Sequence, residues 1–178
     1  MIDAALDRRL TTRVLNTWKR LAGSGFPRRS QIDPRDFGTD WSYCLMIDVD
    51  PVLSNSRFSH VGSALRDPTW PTFDRQTVEE CLAGTLLGLL ARKIPQVVTK
   101  KKPIAMGGAA YHDNCNILYR TILMPLSESG DQIDGILVAI AYREVAAVDD
   151  LPSPDVAIGQ RTERTASPRT SRQNGAGG

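Results

Sequence analysis

One stretch constrains this chain more than any other: from Asn116 to Glu144, two apolar runs rich in β-branched and aromatic residues flank the polar, glycine-containing Ser127–Asp131. That pattern specifies two antiparallel strands joined by a turn. Ile136, Val138, Ile140 and Tyr142 alternate with Gly135, Leu137, Ala139 and Ala141, so both faces of the second strand are apolar. A sheet with one wet face would alternate apolar with polar, so both sides need cover. Pro125 stands at the end of its strand, where a missing N–H costs little.

Two segments can supply the cover. Leu6, Leu10, Val14, Trp18 and Leu21 recur at helical spacing, with Leu15 beside them, and predict an amphipathic helix over Asp3–Leu21. Asp3 is its expected cap, and Gly23 and Gly25 end it. Val78, Cys81, Leu82, Leu86, Leu89 and Leu90 predict a second helix over Gln76–Lys93, with Pro95 just beyond it.

Between them, Phe26–Pro34 reads as an extended connection. Asp33, Pro34 and Gly38 are the cap, first residue and end of a single helical turn over Pro34–Phe37. Strands follow near Ser42–Val49 and Arg57–Leu65, and Val97–Met106 reads as a third, carrying Lys100, Lys101 and Lys102. The order is helix, two strands, helical region, three strands. Strands cluster instead of alternating with helices, which excludes a doubly wound parallel sheet and gives an α+β class built on one five-stranded antiparallel sheet.

The length of 178 residues suits one domain with a real core. Residues 1–25 are expected to be a helix packed on the sheet, 26–150 the domain itself, and 151–178 a disordered tail, since Ser, Thr, Pro, Arg, Gln and Gly replace apolar residues there. The formal net charge of +2 falls mostly on that tail and does not make a nucleic-acid surface. The sequence has no apolar run of membrane-spanning length and its start lacks a signal-peptide pattern, so the expectation is a cytoplasmic protein off the membrane. The three cysteines, Cys44, Cys81 and Cys115, are odd in number and widely spaced, which is a pattern of buried free thiols rather than of a disulfide framework or metal knuckle.

Three segments together carry a resemblance: Phe26-Pro27-Arg28-Arg29-Ser30-Gln31-Ile32-Asp33-Pro34 after an amphipathic helix, Arg57-Phe58-Ser59-His60-Val61-Gly62, and Tyr119 to Gly130. They resemble the single-domain PAS-like proteins abundant in alphaproteobacteria, over most of residues 1–145. The resemblance implies a PAS-like fold: a five-stranded antiparallel sheet with helices between its second and third strands, used as a sensory or protein-interaction module rather than as an enzyme.

The cofactor signatures of that superfamily do not match. Flavin-binding members carry a reactive cysteine on a helix within a longer motif, whereas Asn114-Cys115-Asn116 opens a strand. Haem-binding members place a histidine on the helix before the third strand. The only histidines here are His60, in a predicted strand, and His112, expected in a loop. No cofactor and no metal is therefore expected.

A catalytic reading would join Cys81, His112 and Asp113, but Cys81 falls on an apolar stripe and reads as core. Arg120 interrupts an apolar strand and calls for a partner, Glu144 or Asp134 or a bound anion. The expected pocket for a small apolar ligand lies between sheet and helix, lined from among Cys81, Leu82, Met106, Tyr119, Arg120, Ile122, Met124, Ile136 and Val138. Strand register is not fixed by sequence, so that set mixes both faces. Leu6, Leu10, Val14 and Trp18 form the expected interface of a homodimer. The function expected is a non-enzymatic sensory or adaptor module acting on an unknown signalling protein; the alternative is a small α+β enzyme or carrier with a pocket on a curved sheet.

Overall fold

The structure, a computed structural model, describes residues 8–65, 77–81, 84–112 and 115–145. Its sheet holds five antiparallel strands, β1 Cys44–Asp48, β2 Arg57–Val61, β3 Ile104–His112, β4 Cys115–Leu126 and β5 Gly135–Val145, in the spatial order β2-β1-β5-β4-β3. β5 lies at the centre, between β1 and β4, which explains why its side chains are apolar on both faces. The fold class is α+β with helical segments between β2 and β3, the architecture that the resemblance to PAS-like proteins implies.

β4 and β5 form the hairpin predicted from Asn116–Glu144, paired from Asn116↔Val145 to Leu126↔Gly135. The polar break that joins them is tied down by Ser127, which is buried: its hydroxyl donates to the Gln132 carbonyl and accepts from the Gly130 N–H. Gly130 takes φ +86, a left-handed conformation that glycine adopts without strain.

Alternation along the strands divides the interior into two cores. Ile117, Tyr119 and Leu123 of β4 join Ile136, Val138 and Ile140 of β5 in one cluster. Ile122, Met124 and Leu126 join Leu137 and Ala139 in the other. The second cluster is closed by helix α1, Arg8–Ala22, through Leu10, Val14 and Trp18, with Phe37 from the single turn α2, Pro34–Phe37. Asp33 caps α2 by accepting from the Arg35 N–H, and Gly38 ends it at φ +55, as the sequence predicts.

Leu10, Val14 and Trp18, expected at a dimer interface, are thus interior side chains of a single chain, and the exposed positions of α1 between them are Arg9, Thr12, Arg13, Asn16, Lys19 and Arg20. The apolar stripe is satisfied by the chain's own sheet. Leu6 and Asp3 lie outside the described residues, as do Gln76, Leu82, Asp113 and the tail from 146 onward.

The first cluster is covered differently from expectation. Instead of one helix over Gln76–Lys93, three short pieces follow one another: a 3₁₀ turn at Val78–Glu80, helix α3 at Leu86–Ala91 and helix α4 at Ile94–Lys100. Gly84 takes φ +87, and Thr85 then starts α3 by accepting from the Gly88 N–H at 3.2 Å. Both features break a continuous helix. Pro95 does not end a helix but opens α4 in its first turn, where its missing N–H is no loss.

The strand predicted over Val97–Met106 is therefore helical up to Lys100, with Lys101 at φ +48 as the left-handed residue that ends it. The third strand starts only at Ile104, and His112 is its last residue rather than part of a loop. The predicted strands Ser42–Val49 and Arg57–Leu65 shorten to Cys44–Asp48 and Arg57–Val61, followed by a 3₁₀ turn at Ser63–Leu65. Tyr142 holds that turn, its hydroxyl donating to the Ala64 carbonyl at 3.1 Å. Among the described residues, no helix is long and apolar enough to cross a membrane.

Candidate functional site

The site is the face of the sheet that α3 and α4 cover. Tyr119, Ile136 and Val138 are buried in its cluster, and Cys81 and Met106 pack against it partly exposed. These are five of the nine residues expected to line a ligand pocket. Leu82, the sixth, lies outside the described residues.

Arg120, the seventh, is on the other face, because it shares the parity of Ile122 and Met124, which belong to the α1 cluster. The same parity removes Ile122 and Met124 from the pocket. Arg120 also does not pair with the acids proposed for it. Glu144 stands opposite Ile117, while Arg120 stands opposite Ala141, and the Asp134 carboxylate accepts from the Glu128 N–H.

Register shows how the site is assembled. Met106 of β3, Thr121 of β4 and Ile140 of β5 form one row across the sheet, and Gly108, Tyr119 and Tyr142 form the next. A Cβ at Gly108 would stand 3.8 Å from the Tyr119 ring, an ordinary contact, so the ring does not itself require a glycine there. Burial raises the Tyr119 phenol above its usual range, which keeps it a neutral donor.

The chemistry of the thiols argues against a nucleophile. Cys81 is pushed up to about 11 by burial and by the neighbouring Glu80 carboxylate. It is protonated at neutral pH, and the thiol is not the attacking species. Cys44, in the other core, is pushed up to about 12 by burial, with Asp40 adding to it. Its Sγ–H points at the Asp40 carbonyl at 3.4 Å.

Sequence reasoning missed one residue. Thr121 is 2% exposed, and its hydroxyl has no hydrogen-bond partner. It stands between Tyr119 and Leu123 on the helix-covered side of β4, in the row of Met106 and Ile140. Threonine is a favoured strand residue, so nothing in its type or spacing separates it from the apolar positions beside it. Only the register shows that its Oγ1 faces the apolar interior.

Among solved structures, the PAS domain of Bordetella pertussis BvgS is similar to this chain at 15% identity, over 57% of this chain and 75% of that one, with a TM-score of 0.36. No family model matches the chain. No curated protein matches it.

Proposed function

We propose that this chain is a non-enzymatic sensory or adaptor module of the PAS-like type, which holds a small, mainly apolar ligand against the helix-covered face of the sheet and acts on a signalling protein partner. The observation that carries the reading is the Thr121 hydroxyl, buried without a partner among Met106, Tyr119 and Ile140. A buried hydroxyl left unmet costs about 1–3 kcal/mol. A ligand with an apolar body and one oxygen or nitrogen satisfies it and displaces nothing charged. Such a ligand is a carbonyl- or hydroxyl-bearing hydrocarbon.

The cover of this face suits a sensor. α3 and α4 are six and seven residues long, with breaks at Gly84 and at the Arg92–Lys93 junction, so their positions depend on packing more than on intrinsic helix stability. A ligand held between them and the sheet would change that packing. The catalytic alternative is disfavoured by the raised Cys81 thiol and by the apolar character of the surrounding side chains.

Native mass spectrometry of the chain purified from its own host tests the reading. The expected spectrum shows a non-covalent small-molecule adduct, extractable into organic solvent, that is reduced or lost in Thr121→Val. An adduct that is absent from the native chain, or that is retained undiminished in Thr121→Val, overturns it.

A further inference from the structure

We infer that the opposite face of the sheet carries a separate binding site for a small phosphate monoester, built around Arg120 and Arg143. It is argued separately from the reading above, since Arg120 and Arg143 have the strand parity of the α1-covered face and Thr121 has the opposite one.

α1 covers only part of its face. Its buried residues meet β1, the second half of β4 and the first half of β5, through Cys44, Met46, Ile122, Met124, Leu126, Leu137 and Ala139. Beyond it lies an open groove of about 640 Å³, lined by Thr11 in the first turn of α1, by Ala105 to Gly108 of β3, by Leu118 to Thr121 of β4, and by Arg143 of β5. Arg120 and Arg143 stand on adjacent strands, Arg120 opposite Ala141 and Arg143 opposite Leu118, so they are diagonal neighbours on one face. Diagonal positions are roughly 7–8 Å apart, close enough for two long side chains to meet one anion.

Three features make this an anion site rather than a solvated basic patch. First, no carboxylate lines the groove, and neither arginine has an ion pair or side-chain hydrogen bond among the described residues, whereas Arg13, Arg20, Arg29 and Arg35 are all paired with aspartates. Second, Arg120 is flanked by Gly107 on one side and Ala141 on the other. A Cβ at Gly107 would lie 3.0 Å from the Tyr119 carbonyl oxygen and 3.5 Å from Arg120 Cγ, so the glycine is what lets the arginine stem lie flat along the sheet. Third, the floor beside the charges is made of Ala105, Gly107 and Leu118, which gives a flat apolar bed for the rest of a ligand.

The charge sets the class. Two guanidinium groups neutralise a phosphate monoester, which carries about −1.5 to −2 at neutral pH and offers oxygens for a bidentate contact with each arginine. A monocarboxylate would leave one guanidinium unmet.

Titration calorimetry of the full chain with adenosine monophosphate, adenosine, inorganic phosphate and succinate decides it. Adenosine monophosphate is expected to bind saturably at one site, more tightly than phosphate, succinate or adenosine, and to weaken as salt rises. Arg120→Gln and Arg143→Gln should each weaken it about tenfold or more, the size of one lost charge-assisted contact, while Arg92→Gln, in a different groove, leaves it unchanged. Arg143 is exposed, so its variant retains the fold, and circular dichroism checks that. Absence of saturable binding at millimolar nucleotide, equal binding of adenosine or succinate, or loss of affinity in Arg92→Gln as great as in the other two overturns the proposal.

Discussion

Trp18 donates its indole N–H to the carbonyl oxygen of Pro125 across 3.0 Å of buried space, fastening the end of α1 to the end of β4. Pro125 can donate nothing, and its carbonyl is at the last turn-ward positions of the strand, so the tryptophan supplies a partner to an acceptor shut away from water. Trp18→Phe keeps most of the apolar area and removes the donor. It should cost about 1–3 kcal/mol, read as a shift of the urea midpoint with an unchanged slope. Trp18→Asp should lower the stability of the chain itself, because the side chain is only 6% exposed; a variant that keeps the parent's melting temperature contradicts that placement.

Alkaline pH should loosen the α1 core. The Cys44 thiol is raised to about 12 by burial, against an ordinary value of 9.0. The folded state therefore holds its proton more tightly than the unfolded chain, so the associated stability is intact below about pH 9 and falls as pH rises toward 12. Cys81 adds to the trend in the same direction. Urea unfolding near pH 8 and at about pH 10.5 should show a loss in the native chain that exceeds the loss in Cys44→Ala by about 2 kcal/mol. Equal losses in both proteins would assign the effect elsewhere.

Gly62 is the least replaceable glycine among the described residues. Its N–H donates to the Cys44 carbonyl at 2.7 Å, and an added Cβ would lie 2.2 Å from the Ser42 carbonyl oxygen and 2.8 Å from that of Cys44. These are backbone atoms, which cannot swing aside as a side chain does. Gly62→Ala should cost about 3 kcal/mol, at the upper end of overpacking penalties, with β1 and β2 the strands that lose amide protection first in hydrogen exchange.

Thr121→Val should do the reverse in the ligand-free chain. It replaces an unmet hydroxyl by a methyl of nearly the same volume in an apolar surrounding, and a gain of about 1 kcal/mol is the expected result. Thermal unfolding of ligand-stripped protein reads it; a lowered midpoint would mean that the hydroxyl already has a partner.

The hairpin was legible in the sequence because two signals agreed: a period of two along Gly135–Tyr142, and a polar break with glycine before it. Asp33, Pro34 and Gly38 were legible for the same reason, each carrying a local backbone preference that points to the same turn. The region from Gln76 to Met106 was not. Its leucines at helical spacing fit one long helix, and that pattern cannot distinguish a helix from two short ones whose apolar faces happen to stay in phase. In the sequence Pro95 reads as a stop and in the fold it is a start, since proline is compatible with both ends. Arg120, Ile122 and Met124 fall outside the expected pocket through register alone, because a strand apolar on both faces does not reveal which parity faces the helices.

The division of the interior by a single sheet has an energetic corollary. Val138 and Leu137 are neighbours in sequence, yet their side chains share no cluster, and the same holds for Leu123 and Met124. Changes made on opposite sides should therefore be nearly additive: the combined cost of Trp18→Phe and Val138→Ala should match the sum of the single costs within about 0.5 kcal/mol. The sheet then behaves as a partition through which side-chain packing on one side is not felt on the other. Any influence that does cross it must travel as a change of twist or hydrogen bonding in β1, β4 and β5, the three strands that contribute residues to both.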